Sequence, residues 1–310
     1  MSEANETHTD RQRELALRFA ALWQLLDPAT DGGQAELRRT MLDQVRNALD
    51  RASGQIDNSA PVSKFIANTF ACESVLAQSE LSEVLLLRHR DLGTRHALKQ
   101  LRRDRANDPV ATAMLLHEAR TLLSLNHPCI VRGHTLLRLP DGRPALLMEY
   151  CGPSVAARMA EAPLLAEDIV KILSCVLQGL SYLHQKGLAH GDISPANILK
   201  GEDGASPWKL ADFCLCRLRG HALTDYDLRF AATMDFAAPE LVEVQAADAR
   251  SDLYSTGHVL SYLLSSCGDN LGLLKEPLLK LADTLTQPNP DLRPQSAEEC
   301  LTILANLPQR

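Results

Sequence analysis

His190-Gly191-Asp192-Ile193-Ser194-Pro195-Ala196-Asn197-Ile198-Leu199 is the stretch that decides how the rest of the chain is read. Its aspartate is followed five residues later by an asparagine, which sets two oxygen-bearing side chains on one loop. A carboxylate accepts a proton from a nucleophilic hydroxyl, and a carboxamide oxygen ligates a divalent cation. Twenty residues past Asp192 comes Leu210-Ala211-Asp212-Phe213-Cys214, with a second aspartate at the end of an apolar segment. An aspartate there suits Mg²⁺, which takes a few carboxylate oxygens and completes its shell with phosphate and water. Taken one at a time these residues are ordinary: Asp192 reads equally well as a turn residue or a helix cap.

Upstream of this stretch the pattern changes twice. From residue 65 to about 102 it is one of short strands, clearest at Val84-Leu85-Leu86-Leu87 and His96-Ala97-Leu98-Lys99, with Asp91-Leu92-Gly93 as a turn between them. Asp108-Pro109 opens a helix that runs to about Leu125, with aspartate as N-cap and proline at the first position. Two further strands are expected near 130–138 and 144–150, joined by Pro140-Asp141-Gly142-Arg143. Beyond them the chain reads as mainly helical, with one strand pair near 197–211. Strands followed by helices make an α+β architecture of two lobes.

Residues 1–64 read differently. Leu15, Phe19, Leu22, Trp23 and Leu26 form one stripe of a helix over 10–26. Leu37, Met41, Val45 and Leu49 form another over 36–52, after a break at Gly32-Gly33. The pair suggests a helical hairpin that packs on the main domain or docks an unknown protein partner through residues 1–60. Residues 53–64 read as a linker.

Composition narrows the class. At about 150 residues per domain, 310 residues allow two domains or one large one. With 32 basic and 39 acidic residues the net charge is −7, which argues against coating nucleic acid or an anionic membrane through bulk charge. No run approaches the roughly 20 apolar residues of a membrane span, and the acidic start Met1-Ser2-Glu3-Ala4-Asn5-Glu6 lacks the pattern of a secretory signal. Eight cysteines without a Cys-x-x-Cys read as reduced thiols of a cytoplasmic protein, or of one delivered by a dedicated secretion machine. Cys214 and Cys216 have no third and fourth metal ligand clustered nearby.

With these segments in place, the chain resembles the protein-kinase family, as a divergent eukaryotic-like Ser/Thr kinase. His96-Ala97-Leu98-Lys99 is similar to the family's strand-lysine motif, and Glu118 stands where the ion-pair partner of that lysine belongs. Met148-Glu149-Tyr150-Cys151 resembles the hinge between lobes. Ala238-Pro239-Glu240 resembles the end of the activation segment, and Ser251-Asp252-Leu253-Tyr254-Ser255-Thr256-Gly257 the helix whose aspartate braces the catalytic loop. Arg293 in Asp291-Leu292-Arg293-Pro294 matches the arginine that pairs with Glu240. These motifs stand in family order over roughly residues 69–307.

The resemblance implies a small β-rich N-lobe over 65–149, a helical C-lobe over 152–310, and ATP with Mg²⁺ in the cleft between them. It implies Lys99 as phosphate clamp, Glu118 as its partner, Asp192 as hydroxyl-orienting base, and Asn197 and Asp212 as metal ligands. Val84, Ala97, Met148 and Leu199 are expected to line the adenine slot, with the backbone of Glu149 and Cys151 reading its edge.

The chain departs from the family at four places. The family's phosphate-covering loop carries three glycines, and counting back from Lys99 puts Ala77, Ser79 and Ser82 in their places, with Glu80 at the tip. Small side chains do not block approach to phosphate, but positive φ costs more than for glycine, so weak or altered nucleotide binding is expected. Asp-Phe-Gly has become Asp212-Phe213-Cys214, which keeps the metal-binding aspartate. Ser194 replaces the lysine that supports the γ-phosphate. Gly191 replaces the arginine before the catalytic aspartate, which makes the loop non-RD in type and predicts activity independent of phosphorylation at Thr224 or Tyr226; Thr233 aligns instead with a threonine that contacts the aspartate. Three functions remain open at this point: phosphoryl transfer to Ser/Thr of a protein substrate, a pseudokinase scaffold, and a small-molecule kinase, because His-Gly-Asp-x-x-x-x-Asn also resembles the aminoglycoside-phosphotransferase loop. A Lys99–Glu118 ion pair and an open cleft are required by the first; a cleft filled by residues 77–82 belongs to the second.

Overall fold

The structure is a computed structural model that describes residues 65–66, 69–203, 206–218, 234–242 and 248–308. The expected helices at 10–26 and 36–52, the linker at 53–64, and Thr224, Tyr226 and Thr233 lie outside the described residues.

Six strands form one antiparallel sheet: β1 (Phe65–Ile66), β2 (Phe70–Gln78), β3 (Ser82–His89), β4 (Arg95–Leu101), β5 (Gly133–Arg138) and β6 (Pro144–Glu149), in the order β1-β2-β3-β4-β6-β5. Side chains alternate across a sheet, and the two faces have different partners. Leu85, Leu87, Leu98, Ala145 and Leu147 make a small apolar cluster with Phe70 on one face. Val84, Ala97, Lys99, Leu146 and Met148 alternate with them and so lie on the other. The register sets Ala77 opposite Val84, Val84 opposite Lys99, and Ala97 opposite Met148. The second face is covered in part by α1 (Pro109–Leu123). Asp108 starts that helix as expected, accepting bonds from the N–H groups of Val110 and Ala111 at 3.0 and 3.1 Å. Its buried stripe is Ala111, Leu115, Glu118, Ala119 and Leu122. Glu118 is the exception on an apolar stripe, and a buried charge requires a partner.

The remaining elements are helical apart from two short ribbons. They are α2 (Val155–Glu161), α3 (Ala166–Gln185), α4 (Pro239–Val242), α5 (Ala249–Cys267), α6 (Lys275–Leu285) and α7 (Ala297–Ala305). One ribbon pairs β7 (Leu188–Ala189) with β10 (Arg217–Leu218); the other pairs β8 (Ile198–Lys200) with β9 (Trp208–Leu210). The core of this part is built on α3, whose Ile172, Leu173, Val176, Leu177, Leu180 and Leu183 are buried. Against it pack α5, α7 and β9. Gly179 permits the close approach of β9: a Cβ there would stand 2.9 Å from a methyl carbon of Leu210 and 3.2 Å from the carbonyl of Cys129.

The β8–β9 ribbon positions the two aspartates. Ile198 faces Leu210, so the residues just outside the pair are Asn197 and Ala211, and Ala211 N–H donates to the Asn197 carbonyl at 2.9 Å. The loop before β8 and the segment after β9 are thereby held side by side.

Candidate active site

Lys99 comes from the covered face of β4, Glu118 from the buried stripe of α1, and Asp212 from the segment after β9. The Lys99 ammonium lies 2.8 and 3.0 Å from the two oxygens of Glu118 and 3.1 Å from Oδ1 of Asp212. Burial alone would pull the Lys99 ammonium down, but the carboxylates of Asp212 and Glu118 more than reverse this and keep it charged. Burial pushes Glu118 up, and Lys99 offsets only part of that. Asp212 goes the other way: burial raises it, and the Lys99 charge wins, leaving it at about 2. One cation thus joins the sheet, α1 and the post-β9 segment. Asp212 also has φ +62°, the only positive value at a non-glycine position among the described residues. Aspartate tolerates this region better than most side chains, and such strain gathers at functional sites.

The decisive loop is held from below. Asp252, in the first turn of α5 and 1% exposed, accepts the N–H of His190 at 2.8 Å and of Gly191 at 2.9 Å, and lies 2.9 Å from Nε2 of His184. Gly191 needs its glycine: its φ is +79°, and a Cβ would meet the Leu215 carbonyl at 3.0 Å. Asn197 donates its amide N–H to the Asp192 carbonyl at 3.0 Å and to Asp192 Oδ2 at 2.8 Å. Its nitrogen is therefore turned to Asp192, and its oxygen is left for another ligand. Phe213 is fully buried, with its ring 4.8 Å from that of His190. Beneath the loop, Arg293 meets Glu240 through two bonds of 2.6 and 3.0 Å, and Ser251 donates to the same carboxylate at 2.9 Å.

These elements enclose a cavity of about 430 Å³ between the β2–β3 turn, β4, α1 and the two aspartates. Of the residues singled out by sequence, Ser79, Glu80, Ser82, Lys99, Glu118, Asp192, Asp212 and Cys214 line it. The cavity lies against residues 79–82, which line it and do not fill it, and it does not extend to the expected adenine slot. Asn197, Ala77, Val84, Ala97, Met148, Glu149, Cys151 and Leu199 do not line this cavity. Ala77 and Val84 share the sheet row of Lys99, Ala97 and Met148 pair in the row two residues along β4, and Cys151 and Leu199 belong to or pack on the large core. The Glu149 carboxylate accepts from Lys209 at 2.9 Å and from Arg132 N–H at 2.6 Å. Ser194 is 1% exposed and its hydroxyl has no partner among the described residues, so the position where a lysine was expected does not face the cavity.

Sequence reasoning missed Leu81 in the β2–β3 turn, Leu101 at the end of β4, and Ala111, Met114 and Leu115 on α1, all of which line the cavity. The helical period of α1 already placed Met114 and Leu115 within one turn of Glu118, which was the signal available. Cys214 also lines the cavity, and burial pushes its thiol well up.

The lining carries four carboxylates, Glu80, Glu118, Asp192 and Asp212, against the single cation Lys99. No group of three or more His, Cys, Asp or Glu side chains able to hold a metal occurs among the described residues. Asp212, held ionised, and the carboxamide oxygen of Asn197, whose nitrogen is turned to Asp192, are oxygen donors of the kind a hard cation such as Mg²⁺ takes beside phosphate.

A sequence model described as protein kinase domain matches residues 70–270. A probable serine/threonine-protein kinase of Streptomyces coelicolor is 35% identical over 198 residues, which are 62% of this chain and 29% of that protein. The serine/threonine-protein kinase PknB of Mycolicibacterium smegmatis is 31% identical over 212 residues, 64% of this chain and 33% of that one. The chain thus spans about a third of the length of these relatives. The crystal structure of the Mycobacterium tuberculosis PknI kinase domain superposes with a TM-score of 0.59 at 23% identity, covering 80% of this chain and all of that one. That likeness shows the bilobal fold.

Proposed function

This chain belongs to the protein kinase family, and we propose that its cleft transfers the γ-phosphoryl group of ATP to serine or threonine hydroxyls of a protein substrate. The observation that carries the reading is the convergence of Lys99, Glu118, Asp192 and Asp212 on one cavity, with Lys99 bonded to Glu118 and Asp212 and with Asn197 bonded to Asp192 from behind its lining. Asp192, oriented by Asn197, accepts the hydroxyl proton as the new O–P bond forms and the bond to the leaving ADP oxygen breaks. Lys99 steadies the α- and β-phosphates, and Glu118 steadies Lys99. Asn197 and Asp212 would hold Mg²⁺, which neutralises the charge of the transferring group. Val84, Ala97, Met148 and Leu199 receive the adenine, with the backbone of Glu149 and Cys151 at its edge.

The same reading takes residues 65–310 as the catalytic domain and residues 1–64 as an added segment that meets a further protein. No described helix is long and apolar enough to cross a membrane. A reduced, nucleotide-rich compartment such as the cytoplasm suits eight free thiols.

The test is transfer of label from Mg·ATP to generic protein substrates, with Asp192→Asn and Lys99→Ala alongside. Removing the base should lower the rate by about 10²–10⁴-fold, the usual contribution of a positioned proton acceptor. Nucleotide-dependent thermal stabilisation with no transfer above that of Asp192→Asn would overturn the reading in favour of a binding scaffold. Transfer to small alcohols alone would overturn the protein substrate.

A further inference from the structure

The β2–β3 turn roofs the cavity, and its own side chain holds it shut. Ser79 N–H donates to the Ser82 carbonyl at 2.8 Å, which closes a tight turn with Glu80 and Leu81 at the tip. The Ser79 hydroxyl oxygen then accepts the N–H of Leu81 at 3.3 Å and of Ser82 at 3.0 Å. It also lies 3.2 Å from the Ser82 carbonyl and 3.2 Å from the Ser82 hydroxyl. Two contacts anchor the tip from the other side: Arg102 N–H donates to the Leu81 carbonyl at 2.9 Å, and the Leu81 side chain packs on the large core that includes Leu101, Ala111 and Leu115.

We infer that Ser79 is a positioning residue that latches this turn and withholds the Leu81 and Ser82 N–H groups from the phosphates of a bound nucleotide. The inference rests on the nucleotide reading of the cleft. The reason is one of hydrogen-bond capacity. Each backbone N–H makes one good bond, and both are occupied within the turn before any ligand arrives. A phosphate oxygen must displace the Ser79 hydroxyl to gain them, in a cavity already lined by four carboxylates. Nucleotide affinity then rests on Lys99 and the metal, and the roof contributes shape instead of donors. The cleft is set for a high nucleotide requirement, adjustable at one side chain.

Two measurements on the whole chain test this. The first is the affinity of Mg·ATP with a non-hydrolysable imido bridge, by calorimetry, for the wild type, Ser79→Ala and Ser79→Gly. Both variants should bind about three- to tenfold tighter, the size of one regained charge-assisted hydrogen bond less the ordering of the freed turn. The second is amide hydrogen exchange without nucleotide, in which Leu81 and Ser82 should be protected in the wild type and exchange faster in Ser79→Ala. Equal or weaker binding in both variants, or unchanged exchange in Ser79→Ala, would overturn the latch alone. Failure of every protein, wild type included, to bind the nucleotide would overturn the reading of the cleft and the latch with it.

Discussion

Arg293 and Glu240 show how residue-scale chemistry is divided between what is written in a motif and what is not. The Arg293 side chain is fully buried, with two bonds to Glu240, carbonyls of Gln287, Pro288 and Arg250 in reach, and the Tyr254 ring 4.7 Å away. A buried guanidinium tolerates such a place only because its donors are met. Arg293→Met should therefore strand a buried carboxylate and lower stability by about 3 kcal/mol, read as a drop in the urea midpoint at unchanged slope. The pair was legible in the sequence, because both members sit in short motifs of recognisable order. So were Lys99, Glu118, Asp192, Asn197 and Asp212. Ser194 and Ser79 were not. Ser194 stands where a phosphate-facing lysine is expected, but its hydroxyl is buried and does not line the cavity. Ser79 read as a small stand-in for glycine, whereas its oxygen bonds its own turn. Both outcomes depend on rotamer and neighbours, which no spacing reveals.

At the scale of elements, periodicity did most of the work. Short apolar segments either side of the Asp91-Leu92-Gly93 turn found β3 and β4, and the Asp108-Pro109 cap found α1 to within two residues. Less of β2 was legible, because Cys72 to Gln78 are exposed and carry no apolar alternation, and its strand state comes from pairing with β3. The two-residue β7 and β10 exist only through each other. The strand expected over 130–138 is shorter, β5 beginning at Gly133, with Ile130 making only an isolated bridge to Leu210. Gly257 belongs to this scale too. An alanine inside a helix ordinarily gains about 1 kcal/mol over glycine. Here a Cβ would stand 2.6 Å from the Leu285 Cβ and 3.2 Å from the Thr286 N–H nitrogen, where α5 meets the end of α6. Gly257→Ala should reverse the usual sign and lose about 1–2 kcal/mol, seen as a lower Tm.

For the whole molecule, pH is the sharpest probe. Burial pulls His96, His127, His134 and His258 below the ordinary histidine value, and at His96 the neighbouring His134 and His89 add to it while Glu202 opposes. A depressed folded-state value means that the unfolded chain binds more protons. The stability these groups contribute is complete above about pH 7 and is lost as pH falls below about 6.5. Asp212 and Glu240, also depressed, lose theirs only in the carboxylate range below about pH 4. Glu118, raised by burial, takes up its proton in the folded state over the same range and opposes this loss, so the wild type should lose more Tm between about pH 7.5 and about pH 5 than a variant carrying His96→Gln, His127→Gln and His134→Gln. An equal change of Tm in the two proteins would contradict the histidine contribution.

The amino-acid sequence by itself determined the α+β class, the order of the elements and the identity of the charged groups. Backbone periods and residue types are local and survive in any packing. The tertiary structure alone decided that one ammonium serves both Glu118 and Asp212, that Asn197 turns its nitrogen to Asp192, and that the Ser79 hydroxyl closes its own turn. Lys99 and Asp212 are 113 residues apart, and their 3.1 Å contact follows from the β8–β9 register, the stripe of α1 and the packing of Leu210 on Gly179 acting together. A hydrogen bond tolerates an error of a few tenths of an ångström. Only the assembled packing places groups that closely.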